Sequence, residues 1–299
     1  MTLRSLRPGD TIAFVSPASP LDEEKLGPIT VLLEDEGYHV RVFPHALTRD
    51  EYLAGTDAER AADLQAAYDD PTIAAVLCTR GGYGCARLFP YLDLDRMAAT
   101  GKPLIGFSDI TTLHLALNRR GLATIHAPMA LTLFYSRPDW VLNSFRNVLR
   151  GDYITPAEAP LPTTLVPGVA EGEVTGGCLC LLTDSIGTPE AMDTEGKILL
   201  IEDVDEAPHR IDAMLTQLRN TGLLQKCAGI VIGEMTRTDD RVDESIGGLP
   251  WREIVRDRIG DLGIPTVIDY PFGHASGMLS LPLGLHARLD AEAGTLVYS

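Results

Sequence analysis

The chain has 299 residues, of which 45% are hydrophobic and 22% charged, and this balance excludes a disordered protein. Its formal net charge of −17 argues against nucleic-acid and anionic-membrane partners, because both surfaces are themselves negative. The length allows two domains of ordinary size.

In the first half of the chain, short apolar runs alternate with helical patterns. Strands are predicted over residues 11–15, 39–43, 72–78 and 103–107. Helices are predicted over residues 21–36, 57–68, 110–120 and 140–149. Apolar strands that alternate with helices indicate a parallel sheet covered on both faces, and such sheets bind ligands beyond the carboxyl ends of their strands.

A proline-rich stretch without helical periodicity, residues 153–170, predicts a linker between one domain at 1–152 and another at 171–299. In the second domain, strands are predicted over residues 171–175, 197–201, 229–232 and 266–269, with a closing hairpin of 287–290 and 295–298. Helices are predicted over residues 179–186, 208–220 and 251–259. This order of elements predicts a smaller mixed α/β domain.

Two further features bear on location and on metal binding. The first apolar run is shorter than the roughly 7–15 residues of a signal peptide, and no run reaches the ~18 residues of a membrane span, so we expect a cytoplasmic protein. The cysteines are odd in number and irregularly spaced, which predicts neither a disulfide framework nor a zinc site. They are Cys78, Cys85, Cys178, Cys180 and Cys227. We therefore expect no metal and no cofactor.

Ser108 stands where a predicted buried strand meets a predicted helix, in the segment Gly106-Phe107-Ser108-Asp109. A serine on such a turn is presented as in the nucleophile elbow Gly-x-Ser-x-Gly, and backbone N–H groups at the helix start can stabilise an oxyanion. The match is partial, because Ile110 replaces the second glycine. The alternative interpretation is that Ser108 caps the helix.

A glycine-rich loop, Arg80-Gly81-Gly82-Tyr83-Gly84, follows another buried strand. Glycine allows positive φ and close approach to a ligand, so the loop could cradle a substrate, or it could be a plain turn. Its spacing lacks the Gly-x-Gly-x-x-Gly and Walker-lysine patterns, which disfavours nucleotide binding. We expect Arg80, Gly81 and Tyr83 to contact substrate, and the Arg80 guanidinium to bind a carboxylate unless it forms a salt bridge instead.

Glu202 follows an apolar run, where a partly buried carboxylate can orient a histidine, although acidic clusters are usually solvated. His274 lies in a glycine-flanked loop after a predicted strand, a position suited to a general base. His126 is a second candidate for the base, whereas His114 is expected to pack within a helix.

Seven motifs, in order, give the chain a wider resemblance. They are GDTIAFVSPASP (9–20), RGGYG (80–84), KPLIGFSDITTLH (102–114), HAPM (126–129), GGCLCLL (176–182), LLIEDVDEAPHRIDAMLTQL (199–218) and GIPTVIDYPFGH (263–274). Together they resemble the LD-carboxypeptidase family of serine peptidases, which also holds the self-immunity peptidases against microcin C-type antibiotics. The resemblance covers nearly the whole chain.

This resemblance implies an α/β fold with an N-terminal flavodoxin-like parallel-sheet domain, a C-terminal swivelling β-rich α/β domain, and a homodimer. It implies that Ser108 of the GFSD motif is the nucleophile, Glu202 of the IED motif the orienting acid, and His274 of the FGH motif the general base. The oxyanion hole maps to the backbone N–H groups of Asp109 and Gly82. The active site would then lie between the two domains.

The resemblance implies a serine carboxypeptidase that releases the terminal D-alanine from muropeptide tetrapeptides in cell-wall recycling. The alternative is a microcin C-type peptidase that hydrolyses aminoacyl-nucleotide amides, although such members tend to carry an extra segment between nucleophile and acid that we do not find. A second alternative is a non-catalytic peptide-binding protein, which would be expected to lack a triad residue. A cysteine- or metal-dependent hydrolase is a further rival.

Overall fold

Residues 1–243, 245 and 248–299 are described by the computed structural model, and contacts within the chain divide them into two units. The first unit contains Met1–Ile154 and Ser280–Gly284. The second unit contains Thr155–Leu279 and Leu285–Ser299. Within the described residues, no helix has the length and apolar character needed to cross a membrane.

Strands and helices are numbered along the chain. The strands are β1 (Thr11–Val15), β2 (His39–Val42), β3 (Ile73–Cys78), β4 (Leu104–Gly106), β5 (Thr124–His126), β6 (Thr163–Val166), β7 (Val169–Cys178), β8 (Ile198–Val204), β9 (Gly229–Thr236), β10 (Thr266–Ile268), β11 (Leu281–Leu283), β12 (His286–Asp290) and β13 (Thr295–Tyr298). The α-helices are α1 (Gly27–Asp35), α2 (Asp57–Asp69), α3 (Leu94–Ala99), α4 (Thr111–Asn118), α5 (Ala130–Phe134), α6 (Asp139–Arg150), α7 (Leu179–Asp184), α8 (Pro208–Asn220) and α9 (Trp251–Ile259).

The first unit contains a sheet in the order β2-β1-β3-β4-β5-β11, in which the first five strands are parallel and β11 is antiparallel to β5. The order 2-1-3-4-5 is that of flavodoxin-like folds, whose ligands bind where the order reverses, between β1 and β3. The predicted α/β class and parallel N-terminal sheet are confirmed. The carboxyl ends of β1, β3 and β4 therefore form the edge at which a site is expected.

The core of the first unit explains why its strands are apolar along their whole length. Every residue of β3 is buried, because helices cover both faces of the sheet. Phe145 and Val148 of α6 pack in one cluster with Phe14 and Leu77 of the central strands. Burial of each large apolar side chain contributes roughly 1.5–3 kcal/mol to the stability of the fold, so the packed sheet holds the ends of the loops at its edge in place.

The second unit contains a sheet in the order β13-β12-β7-β8-β9-β10-β6. Strands β7 to β10 are parallel, whereas β6, β12 and β13 each pair antiparallel with their neighbours. The predicted β-rich mixed α/β architecture is thus present.

Several strands differ from the sequence-based boundaries. The expected linker at 153–170 contains β6, an edge strand whose β-branched residues pair with β10 and whose flanking prolines are tolerated there. Strand β8 continues to Val204 rather than ending at residue 201, because its pairing with β9 resumes after a bulge. Strands β5 and β11 have three residues each, too few for a periodic pattern to reveal.

Candidate active site

Ser108 lies between β4 and a single 3₁₀ turn, Ser108–Ile110, that leads into α4. Its φ is +65°, a left-handed conformation that costs a residue with a side chain roughly 1–3 kcal/mol and persists only where the surroundings impose it. The N-cap positions of the two helical segments are Phe107 and Ile110, so Ser108 occupies the first turn and not a cap. The helix-cap interpretation is therefore wrong, and the strained turn is typical of a nucleophile elbow.

Gly81 and Gly82 bring the loop after β3 against two serines. A Cβ atom at Gly81 would lie 2.8 Å from Cβ and 3.0 Å from Oγ of Ser108. Gly82 has a φ of +114°, and a Cβ atom there would lie 2.7 Å from Cβ of Ser19. Any larger residue would clash at either position, so the loop approaches Ser108 with the backbone of Gly81 and Ser19 with the backbone of Gly82. An oxyanion cradle needs this kind of close backbone approach.

Asp109 fastens the glycine loop to the Ser108 turn. Its carboxylate, 2% exposed, accepts a hydrogen bond of 2.8 Å from the backbone N–H of Cys85, directly after the loop. Burial raises the pKa of the Cys85 thiol well above its usual value, and the Asp109 charge raises it further. Burial likewise raises the pKa of Cys78. Both thiols are therefore protonated at neutral pH and unsuited to nucleophilic attack, which disfavours the cysteine-hydrolase rival.

Arg60, in α2, links the loops at this edge of the sheet and was not identified from the sequence. Its fully buried guanidinium donates to the carbonyl of Pro17 in the loop after β1, and at 3.1 Å to the carbonyl of Gly84 in the glycine loop. It also donates to Gly55 at 3.2 Å and to the carboxylate of Asp57. One side chain thus satisfies buried backbone oxygens from three segments.

We expect Arg60→Met to lower the free energy of unfolding by about 3 kcal/mol, because it leaves buried carbonyls without a donor. Arg87→Met is the matched control, since Arg87 also contacts Asp57, at 2.9 Å, but is 40% exposed. We expect the control to cost less than about 1 kcal/mol. Urea unfolding of both variants measures the difference, and equal midpoints would show that Arg60 does not hold the loops together.

Arg80 and Tyr83, the predicted substrate contacts beside these glycines, differ in exposure. The Arg80 guanidinium donates at 3.1 Å to the carbonyl of Pro20, and its Nε is buried without a partner among the described residues. Burial lowers the pKa of Arg80, because the partly buried charge has lost water. Tyr83 is 52% exposed and packs against Tyr52, with ring centroids 6.3 Å apart. A carboxylate ligand would compensate the Arg80 charge.

The two other histidines of the sequence analysis lie in the core of the first unit. The Nε2–H of His114 donates to the carbonyl of Gly106 at 2.9 Å, and burial lowers the pKa of this histidine to about 3. His114 therefore packs as a neutral ring, as predicted. His126 ends β5, is fully buried and contacts the Phe107 ring, with centroids 5.5 Å apart. A fully buried ring is poorly placed to meet a substrate.

Glu202 and His274 form a hydrogen-bonded pair in the second unit. Nδ1 of His274 lies 2.7 Å from Oε2 of Glu202, whose side chain is fully buried on β8. Because a carboxylate only accepts, Nδ1 carries a proton, and in the neutral form of the ring Nε2 has a lone pair. The two side chains thus have the geometry that an orienting carboxylate and a general base require.

The loop that carries His274 is held against β8 and β9 by glycines. A Cβ atom at Gly273 would lie 2.5 Å from Oε2 of Glu202, and φ at Gly273 is +97°. A Cβ atom at Gly233 of β9 would lie 2.7 Å from the ring of Phe272. These two close approaches let the Phe272 ring anchor the loop and seat the imidazole on the carboxylate.

Electrostatics favour a charged form of this histidine. Burial lowers the pKa of His274, but the charge and hydrogen bond of Glu202 outweigh burial, and the net pKa is raised above the ordinary 6.5. Burial, together with the charge of Glu202, raises the pKa of the adjacent Asp203 to about 6. An imidazole whose pKa is raised in this way can hold a proton that it has just accepted.

Known proteins are similar to this chain over most of its length. Residues 12–127 match the family model described as "LD-carboxypeptidase N-terminal domain", and residues 171–289 match "LD-carboxypeptidase C-terminal domain". The murein tetrapeptide carboxypeptidase of Pseudomonas aeruginosa is 33% identical over 94% of this chain and 93% of the relative.

Two solved structures resemble the fold. The muramoyltetrapeptide carboxypeptidase from Oxalobacter formigenes has a TM-score of 0.82 and 28% identity, covering 96% of this chain and 97% of the other. The microcin C7 self-immunity protein MccF, solved with aspartyl sulfamoyl adenosine, has a TM-score of 0.88 and 23% identity, covering 100% and 98%. The second likeness shows the fold alone.

Proposed function

The chain belongs to the LD-carboxypeptidase family, and we propose that it is a serine carboxypeptidase that releases the terminal D-alanine from muropeptide tetrapeptides. The observation that carries this proposal is the Glu202–His274 pair, a base and its orienting acid held 2.7 Å apart. The strained turn that presents Ser108 supplies the third function required, a nucleophile. The cell-wall peptide is the substrate that the relatives' names give.

In the proposed reaction, Nε2 of His274 takes the proton of the Ser108 hydroxyl while Oγ attacks the scissile carbonyl. Backbone N–H groups of Asp109 and Gly82 stabilise the resulting oxyanion. The tetrahedral intermediate collapses as His274 gives its proton to the nitrogen of the leaving D-alanine, and an acyl ester remains on Ser108. Water, deprotonated by His274, then hydrolyses the ester and restores the serine.

An exopeptidase must bind the terminal carboxylate of its substrate, and we propose that Arg80 forms this contact. The guanidinium lies beside the glycine loop, and its partly buried charge would gain from a bidentate carboxylate partner. Gly81 and Tyr83 would contact the same end of the peptide.

We expect Arg80→Lys to raise KM for the tetrapeptide about tenfold with little change in kcat, because an ammonium cannot form the paired hydrogen bonds of a guanidinium. Arg49→Lys is the control, since the exposed Arg49 pairs with Asp22 at 2.9 Å. Steady-state kinetics of the two variants decide the assignment, and an unchanged KM for Arg80→Lys would refute it.

The substrate itself is tested by comparing kcat/KM for a muropeptide tetrapeptide with that for aspartyl sulfamoyl adenosine. We expect kcat/KM to be higher for the tetrapeptide than for the nucleotide conjugate. Turnover of the nucleotide conjugate alone would assign the enzyme to the microcin C-type branch. Binding of the peptide without turnover would favour the non-catalytic alternative.

A homodimer and a cytoplasmic location complete the proposal. The homodimer rests on the family resemblance, and the cytoplasmic location rests on the short apolar runs of the sequence. Light scattering of the purified protein measures the mass against the 32.3 kDa of one chain. Cell fractionation with an antibody reports the compartment.

A further inference from the structure

A second cluster of reactive side chains lies in the second unit, where β7 ends and α7 begins. Cys178 is the last residue of β7, Cys180 lies in the first turn of α7, and Asp203 stands on the neighbouring strand β8. The ligand atoms of these three residues lie within 4.8 Å of one another. The proposed reaction uses none of them.

Two of the three distances between these atoms resemble those between ligands of one metal ion. The two Sγ atoms are 3.4 Å apart, and Sγ of Cys178 is 3.5 Å from Oδ1 of Asp203. Tetrahedral zinc, with Zn–S near 2.3 Å and Zn–O near 2.0 Å, places two sulfurs about 3.8 Å apart and a sulfur and an oxygen about 3.5 Å apart. A widening of a few tenths of an ångström would bring the two sulfurs to the zinc spacing, and Sγ of Cys180 lies within 4.8 Å of the Asp203 carboxylate.

The carboxylate is already oriented toward the thiols by backbone donors. The N–H of Cys180 donates to Oδ2 of Asp203 at 2.8 Å, and the N–H of Val204 donates to Oδ1 at 2.7 Å. Outer hydrogen bonds of this kind fix the ligands of metal sites and sharpen their affinity. The carboxylate is thus held in place before any ion arrives.

Burial gives the cluster a closed side and an open side. Cys178 and Asp203 are 2% and 1% exposed, whereas Cys180 is only partly buried. An ion could therefore reach the cluster past Cys180, and a water molecule or a small anion could fill the fourth position. A closed protein shell on one side and an exchangeable position on the other are typical of three-ligand zinc sites.

We propose that Cys178, Cys180 and Asp203 form a binding site for one thiophilic divalent cation, with zinc as the favoured ion. Two sulfur ligands select zinc, cobalt or cadmium over magnesium and calcium, which prefer all-oxygen shells. Binding replaces the two thiol protons with the metal and releases both to solvent, with no change of oxidation state. Cysteine spacing alone predicted no metal, because the third ligand comes from a distant strand.

The test is a titration of the full-length, reduced protein with Co²⁺, whose thiolate complexes absorb in the near ultraviolet and visible. We expect saturation at one Co²⁺ per chain, loss of the thiolate bands when Zn²⁺ is added, and no competition from Mg²⁺. Cys180→Ser should abolish the thiolate bands, and Asp203→Asn should weaken Co²⁺ binding by about 10- to 100-fold. Circular dichroism without metal checks that each variant folds.

Cys227→Ser is the matched control, because Cys227 is a buried thiol of the same unit whose Sγ lies 3.4 Å from the carbonyl of Leu223. The Cys227→Ser variant should bind Co²⁺ with the same stoichiometry and absorption bands as the wild type. The proposal is overturned if the folded wild type shows no thiolate-to-cobalt absorption, or if Cys180→Ser binds Co²⁺ as the wild type does. Because the readout is metal binding and not catalysis, failure of the peptidase proposal would leave this result unaffected.

Discussion

Ser108→Ala is expected to abolish release of D-alanine from the tetrapeptide, lowering kcat by about 10⁴-fold or more. Without Oγ no acyl ester can form, and the residual rate comes only from binding and the oxyanion donors. Alanine retains Cβ, so the left-handed turn at φ +65° keeps its strain and the stability should change little. D-Alanine release and thermal unfolding, measured on one preparation, separate the loss of chemistry from loss of fold.

Ser5→Ala is the control for this variant. Ser5 is exposed and precedes β1, so it lies toward the amino end of that strand, whereas Ser108 follows the carboxyl end of the parallel strand β4. The control should retain wild-type kcat. If Ser108→Ala released D-alanine at the wild-type rate, Ser108 would not be the nucleophile, and the proposed reaction would be abandoned.

Glu202→Gln is expected to lower kcat by about 10²- to 10⁴-fold, because an amide can accept from the imidazole but does not stabilise its charge. No other side chain or water can easily take the place of the lost charge, since Glu202 is fully buried and Gly273 lies directly against its carboxylate. The loss should be smaller than for Ser108→Ala, because the nucleophile and the base are both retained.

The same substitution should change the pH dependence. A base must be neutral to accept a proton, and the charge of Glu202 holds the pKa of His274 above 6.5, so wild-type kcat/KM should fall with acid through a pKa above that value. Without the carboxylate charge of Glu202, burial and the charge of Arg237 lower the pKa of His274 and only the charge of Asp203 raises it, so the acid limb should move to lower pH.

Glu195→Gln serves as the control, because Glu195 is 73% exposed and pairs only loosely with Lys226, at 3.6 Å. Its pH profile and kcat should match the wild type. Should the acid limb of Glu202→Gln stay where it is in the wild type, a group other than His274 governs the profile. A pH titration of the His274 ring by NMR would then identify the group that does.

What the sequence predicted well were features encoded locally. Apolar runs located the strands β1, β3 and β8, and the order of strands and helices led to the parallel sheet whose edge carries Ser108 and the glycine loop. The Glu202–His274 pair followed from motifs, although the two residues are 72 positions apart. The periodicity of apolar residues does not predict that these two side chains are in contact.

The features that were missed depend on contacts between distant segments. Arg60 lies in an alanine-rich helix, where an arginine is normally exposed. It is buried here because the carbonyls of Pro17 and Gly84 accept hydrogen bonds from its guanidinium. Strand β6 was not predicted because prolines flank it, which the edge of a sheet tolerates and its interior would not. Asp203 was grouped with a solvated acidic cluster because β8 was expected to end before it.

The segment Ser280–Gly284 has a consequence for attempts to study each unit alone. It leaves the second unit to supply β11, the strand that completes the sheet of the first unit beside β5, and then returns. A fragment ending at residue 154 would therefore expose the hydrogen-bonding edge of β5 and invite self-association through it. Dissection of this protein calls for grafting residues 280–284 onto the fragment through a short linker, and not for a single cut.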